Sequence, residues 1–335
     1  MMSTARPWWV GMVIAGLAGW AAWLGWPAFG PVAQCEQVRP LGQFARGVAA
    51  LAYHPRNHWL AVGSDDASIT LWPCGEDVAQ PIQTLHGHEA KVTALAVSPD
   101  GQWLASADAE GTICLWELNR PKPNPTPLRL TGHTDCVHAL CFAPDGKRVY
   151  SCGQDRSVRV WTLTAGTQPE PMYTARSPLL ALTVSPDGST LALAGLDAAL
   201  LLIDTTTGQC LAELVGHHDC VYSLCFSPDG RRLVSGSQDS TVRVWDWRSR
   251  REVACWSGHR DPILQLSCNP TGTRVASVGT SGLLVVWDSD SGQALASERL
   301  PGQGLCVQFA PSGDELSVGT AKPGCYRLRL SQRLR

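Results

Sequence analysis

Seven times between residues 55 and 311 the chain returns to the same short turn built on a proline. Four copies read Ser98-Pro99-Asp100-Gly101, Ala143-Pro144-Asp145-Gly146, Ser185-Pro186-Asp187-Gly188 and Ser227-Pro228-Asp229-Gly230. Looser copies are His54-Pro55-Arg56-Asn57, Asn269-Pro270-Thr271-Gly272 and Ala310-Pro311-Ser312-Gly313. The prolines stand 44, 45, 42, 42, 42 and 41 residues apart. Proline fixes φ at the first corner, aspartate bonds back to the backbone and glycine takes a positive φ, so each copy predicts a hairpin turn. A unit of this size cannot bury both its faces alone, so the units must stack on one another.

Short β-rich runs flank each turn. Val92–Val97, Val137–Phe142 and Val221–Phe226 precede it, and Trp103–Ser106, Val149–Ser151 and Leu233–Ser235 follow it. A third run ends at a recurrent position: Ile113–Trp116, Val158–Trp161, Val242–Trp245 and Leu284–Trp287. A fourth is weaker, as in Pro81–Leu85, Leu128–Thr131 and Val253–Trp256. Four strands per unit and seven units predict an all-β chain.

Those runs resemble the WD40-repeat family. The Gly-His pair occurs as Gly87-His88, Gly132-His133, Gly216-His217 and Gly258-His259. The Trp-Asp pair occurs as Trp245-Asp246 and Trp287-Asp288, and Trp72, Trp116 and Trp161 hold the same place without the Asp. The resemblance implies one seven-bladed propeller over residues 36–330. The seventh unit, Leu305 to Leu330, stops after three strands, and the resemblance implies that the N-terminal strand over 36–44 closes the ring. Closure removes an exposed sheet edge.

The first residues are different. From Pro7 to Gln34 there is no charge, and Trp8, Trp9, Trp20, Trp23 and Trp26 cluster at the two ends of an apolar run. As a helix, Trp8 to Trp26 is about 27 Å long, close to a hydrocarbon core of about 30 Å. Indoles at both ends suit the two membrane interfaces. We read residues 1–6 as a tail, 7–29 as a single transmembrane signal anchor, 30–35 as a linker and 331–335 as a C-terminal tail. A cleaved signal peptide, a lipoprotein signal around Cys35 and a buried soluble helix fit less well. Gly11, Ala15 and Gly19 form a small-residue face suited to weak self-association. A short tail left in the cytoplasm places the propeller on the extracytoplasmic side, though 13 cysteines point the other way.

Composition narrows the function. With 27 Lys+Arg against 29 Asp+Glu the net charge is −2, which opposes nucleic-acid binding. No CxxC pair and no phosphate-loop motif is present, so neither metal nor cofactor is expected. Cys136 with Cys220, and Cys141 with Cys225, repeat as strand hydrophobes on non-adjacent blades, which should not bridge each other. Of 14 tryptophans, only Trp247 and Trp256 fit neither the anchor nor a repeated position.

Two units carry a Ser/His/Asp trio: His133, Ser151, Asp155 and His217, Ser235, Asp239. Each trio resembles a hydrolase triad, but each recurs at identical repeat positions with a Trp six residues after the Asp, Trp161 and Trp245. A buried indole N–H needs an acceptor, so we read a structural network. The second unit has Glu110 in the Asp place and the sixth has Ser281; the fourth keeps only Asp197.

The family resemblance implies that partners bind one rim. The matching positions are Lys91 and Thr93, His138 and Gln154, Leu180 and Leu196, Tyr222 and Gln238, Leu264 and Thr280, and Leu305. Leu180, Leu196, Tyr222, Leu264 and Leu305 form an apolar arc suited to a protein or peptide partner. The expected function is a non-catalytic, membrane-anchored interaction scaffold. The alternative is an exported propeller with ligand binding or hydrolase-type chemistry in its central channel.

Overall fold

The computed structural model describes residues 37–330, apart from 57–58, 75–79, 119–124, 164–170 and 323. The expected membrane helix over 7–29, its Gly11, Ala15 and Gly19, the linker and the C-terminal tail lie outside the described residues. Among the described residues no helix is long and apolar enough to cross a membrane.

The described strands form seven four-stranded antiparallel sheets. Blade 5 shows the pattern: Val221–Phe226 innermost, then Leu233–Ser237, Thr241–Asp246 and Arg251–Ser257. The second and third strands run one or two residues past the sequence-based limits, for instance to Asp108 and Gly153. The strand ends reached are polar or glycine but still pair in the ladder: Asp108 lies opposite Val92 and Gly153 opposite Val137. Hydrophobicity alone gives no signal at those ends.

Ring closure is carried by backbone pairing. Gln37–Pro40 lies antiparallel to Gly324–Arg329, with Val38 opposite Leu328 and Pro40 opposite Tyr326. Leu41 N–H adds a bond of 2.7 Å to the Cys325 carbonyl. Proline suits this place, because it terminates an outer strand where no further ladder donor is required.

The core is divided among the blade junctions. Seven apolar clusters occur, and each joins two neighbouring blades. Leu214 and Leu202 of blade 4 pack with Phe226 and Trp245 of blade 5, for example. A single blade therefore leaves half of its apolar surface for a neighbour, as the repeat length requires.

The proline turns form a second ring. Gly188 has φ +75°, and a β-carbon there would meet Pro144 Cδ of the preceding blade at 3.5 Å. The left-handed backbone is what calls for glycine here, since a β-carbon would meet Pro144 only at ordinary contact distance. Asp187 accepts from the Ser189 amide at 3.0 Å, completing the turn. At the blade 1–2 junction His54 takes over, its Nε2 lying 2.9 Å from the Gly101 carbonyl.

Trp247 also belongs to this ring, which corrects its reading as an unrepeated residue. Thr205, Trp247 and Ser289 hold one repeat position, and each side chain donates to a turn-glycine carbonyl, Gly188, Gly230 and Gly272, at 2.7, 3.0 and 2.7 Å. The position was hidden because a hydroxyl and an indole do the same work. Trp256 stacks on Trp287 of the next blade, with centroids 5.8 Å apart.

Candidate partner-binding surface

Two kinds of polar constellation occupy the blades. The first sits between the loop before each innermost strand and the second and third strands. In blade 3 His133 Nδ1 lies 2.8 Å from Asp155, its Nε2 lies 2.7 Å from Ser151 Oγ, and Trp161 Nε1 donates to the same Oγ at 2.8 Å. Blade 5 repeats this with His217, Asp239, Ser235 and Trp245 at 2.8, 2.7 and 2.8 Å. Indole is donor only and carboxylate acceptor only, so the direction is set: Nδ1–H donates to Asp, Ser O–H donates to Nε2, Trp N–H donates to Ser. Ser151 and Ser235 are fully buried and committed to these bonds, which leaves neither as an accessible nucleophile. Burial raises the Asp155 and Asp239 carboxyls, but the histidine and hydroxyl bonds outweigh it and hold both below the usual range.

Blade 2 corrects the sequence reading. Glu110 does not take the acid's role; Asp108 does, from two residues earlier, at 2.7 Å from His88 Nδ1. Its other oxygen accepts the Glu110 and Thr112 amides at 3.0 and 2.9 Å. A fixed spacing from the Trp missed it because the acid moved from the turn onto the end of the strand. Blade 6 keeps His259, Ser277 and Trp287, with bonds of 2.7 and 2.8 Å, while His259 Nδ1 is buried without a bond. Burial pushes the His259 imidazole down to about 4. Blade 1 replaces the serine: Trp72 Nε1 donates to Thr70 Oγ1 at 2.8 Å.

The second constellation is the mouth of the central channel, a cavity of about 240 Å³ walled by the seven innermost strands. Thr93, His138, Leu180, Tyr222, Leu264 and Leu305 all line it, one from each of six consecutive blades. Lys91, Leu196 and Gln238 are not among the lining residues. Leu196 is exposed, at 47%, and does not line this cavity. Gln238 supports the wall by accepting from the Tyr222 hydroxyl at 2.5 Å. Gln154 does the same for His138 at 3.3 Å, and Thr280 is bonded to Asp261 at 3.2 Å. Burial pushes Tyr222 up to about 12 and draws His138 below its ordinary value, so both are uncharged near neutral pH.

The wall is stitched from blade to blade. Thr93 Oγ1 donates to the Val137 carbonyl at 2.5 Å, Ser223 Oγ accepts from Leu266 N–H at 2.9 Å, and Gln265 Oε1 accepts from Val307 N–H at 2.6 Å. Cys225 and Cys268 lie side by side on the innermost strands of blades 5 and 6, with Cα atoms 6.4 Å apart. Sequence spacing gave no signal for this pair, because the two residues hold different repeat positions. Among the described residues no group of His, Cys, Asp and Glu is arranged to hold a metal ion.

Sheet order, ring closure and the repeated His/Ser/Trp network together define a seven-bladed β-propeller. Residues 36–73, 79–117, 125–162, 208–246 and 250–288 match the family model described as WD domain, G-beta repeat. These matches cover more than half of the chain, which belongs to the WD40-repeat family. They fall on blades 1, 2, 3, 5 and 6; the fourth and seventh blades have lost both the Gly-His pair and the strand Trp. Comparison with curated proteins gives no match. Propellers of this family typically act as protein-interaction scaffolds.

Proposed function

We propose that this protein is a membrane-tethered scaffold that holds a protein or peptide partner at the channel mouth and performs no chemistry of its own. The observation that carries the reading is the run Leu180, Tyr222, Leu264 and Leu305, half-buried along the channel on four consecutive blades with a hydrogen-bonded wall behind them. The accessible wall is uncharged, rigid and mainly polar, so it suits a peptide that brings backbone hydrogen-bonding groups to the channel together with an apolar or aromatic anchor beside the leucines. The tether rests on the uncharged, tryptophan-flanked segment before the propeller.

The channel-ligand alternative has weaker support. The cavity is smaller than the roughly 300 Å³ at which drug-sized pockets begin. His138 and Tyr222 are its titratable lining groups, and each is tied to a glutamine.

The test is a double substitution, Tyr222→Ala with Leu264→Ala, in the full-length protein. Partner capture from cross-linked membranes should be lost while the melting temperature stays close to wild type. Capture that persists would remove the channel mouth as the binding surface.

A further inference from the structure

A second cavity, of about 200 Å³, lies where blade 4 departs from its neighbours. It is lined by Tyr173 from the outer strand of blade 3 and by Ala175, Asp197, Leu201 and Glu213 of blade 4, with Arg176 and Ser177 also at its edge. Ala175 holds the place that His133 and His217 hold in blades 3 and 5, and Asp197 holds the place of Asp155 and Asp239. Leu201 holds the place of Arg159 and Arg243.

In the sister blades this space is filled by the chain's own cation. A β-carbon added at Gly132 would meet Arg159 Nη1 at 3.1 Å, and one at Gly216 would meet Arg243 Nη1 at 3.0 Å. Arg243 there pairs with Glu252 at 2.6 Å. Blade 4 has lost the imidazole and the guanidinium together but retains the aspartate and adds Glu213. Asp197 accepts from Ser177 Oγ at 2.6 Å through one oxygen, Oδ2. Tyr173 offers a half-buried ring at the same cavity.

We propose that this cavity receives an arginine side chain from a partner protein, in the place that Arg159 and Arg243 fill from within the chain. The planar fork suits carboxylate pairing, and guanidinium stacks on aromatic faces. The cavity's size fits one side chain rather than a drug-sized ligand. Arg176 opposes the two carboxylates only in part, leaving the lining with an excess of negative charge. The site lies apart from the channel mouth and does not depend on it.

The probe is a fluorescein-labelled capped octapeptide with one central arginine between leucines, against the same peptide with citrulline, which keeps the shape and removes the charge. Anisotropy titrations should show arginine binding roughly tenfold or more tighter than citrulline, a preference that Asp197→Asn with Glu213→Gln removes. Leu201→Arg, which refills the cavity as in blades 3 and 5, should abolish binding with the melting temperature retained. Tyr222→Ala with Leu264→Ala should leave it unchanged, so failure here and failure at the channel mouth are told apart. Equal binding of the two peptides, or arginine binding that survives Leu201→Arg, would overturn the proposal.

Discussion

His217 and His259 occupy one repeat position and face different chemistry. His217 has bonded partners at both ring nitrogens, whereas His259 has one at Nε2 and none at Nδ1. His217→Ala leaves the buried Ser235 hydroxyl short of an acceptor and the Asp239 carboxylate short of a donor, and should cost about 1–3 kcal/mol. His259 acts through pH. Its folded value of about 4 lies below the ordinary 6.5, so between these values the unfolded chain holds a proton that the folded chain does not. Stability is then complete above pH about 6.5 and falls as pH drops toward 4. His54 and His138, also held low by burial, act in the same direction. Asp155 and Asp239 act in a lower window: their contribution is present above about pH 3.9 and is lost on further acidification. Thermal melts from pH 4 to 7.5 should show a shallower slope for His259→Gln than for wild type, and at neutral pH a lower melting temperature for His217→Ala. A wild-type slope unchanged by His259→Gln would contradict the assignment.

At the scale of strands, the closing strand carries an outsized share of cooperativity. Gln37–Pro40 pairs with Gly324–Arg329 across nearly the full chain and covers an edge that would otherwise be open. Deleting residues 37–44 should expose that edge and also remove Leu41 and Phe44 from the cluster shared with Trp72. The expected outcome is a lower, broader melting transition with concentration-dependent association, read by calorimetry and light scattering. A sharp monomeric transition would show that the ring closes without this strand.

Much of this level was legible in the sequence. The turn Pro-Asp-Gly and the strand Trp are set by local backbone and indole chemistry, which needs those residue types at fixed spacing. What escaped were substitutions that keep a bond while changing the residue. Asp108 supplies a carboxylate from the strand rather than the turn. Trp247 supplies the donor that Thr205 and Ser289 supply elsewhere. Cys225 and Cys268 meet from unlike repeat positions, which no internal alignment pairs. Of the rim residues, Leu196 is exposed and does not line the channel cavity, because strand spacing fixes a repeat position and not which way its side chain turns.

For the whole molecule, the ring converts seven weak local differences into one asymmetric surface. Blades 1, 2, 3, 5 and 6 match the family model, while blades 4 and 7 replace the polar network by buried apolar residues such as Leu193, Ile203, Leu300 and Val318. Replacing a whole buried polar set leaves no group unpaired, so such blades persist at little cost to the fold. The same half of the ring carries the leucines of the channel mouth and the cavity beside Ala175.

The most direct test of the scaffold reading is photocross-linking from a single benzophenone side chain in the membrane-tethered, full-length protein. Placed at position 222 in the channel mouth, it should form a covalent adduct with the partner. Placed at 128, on the exposed outer strand of blade 2, it should form none. An adduct from 128 and none from 222 would contradict a partner held at the channel mouth.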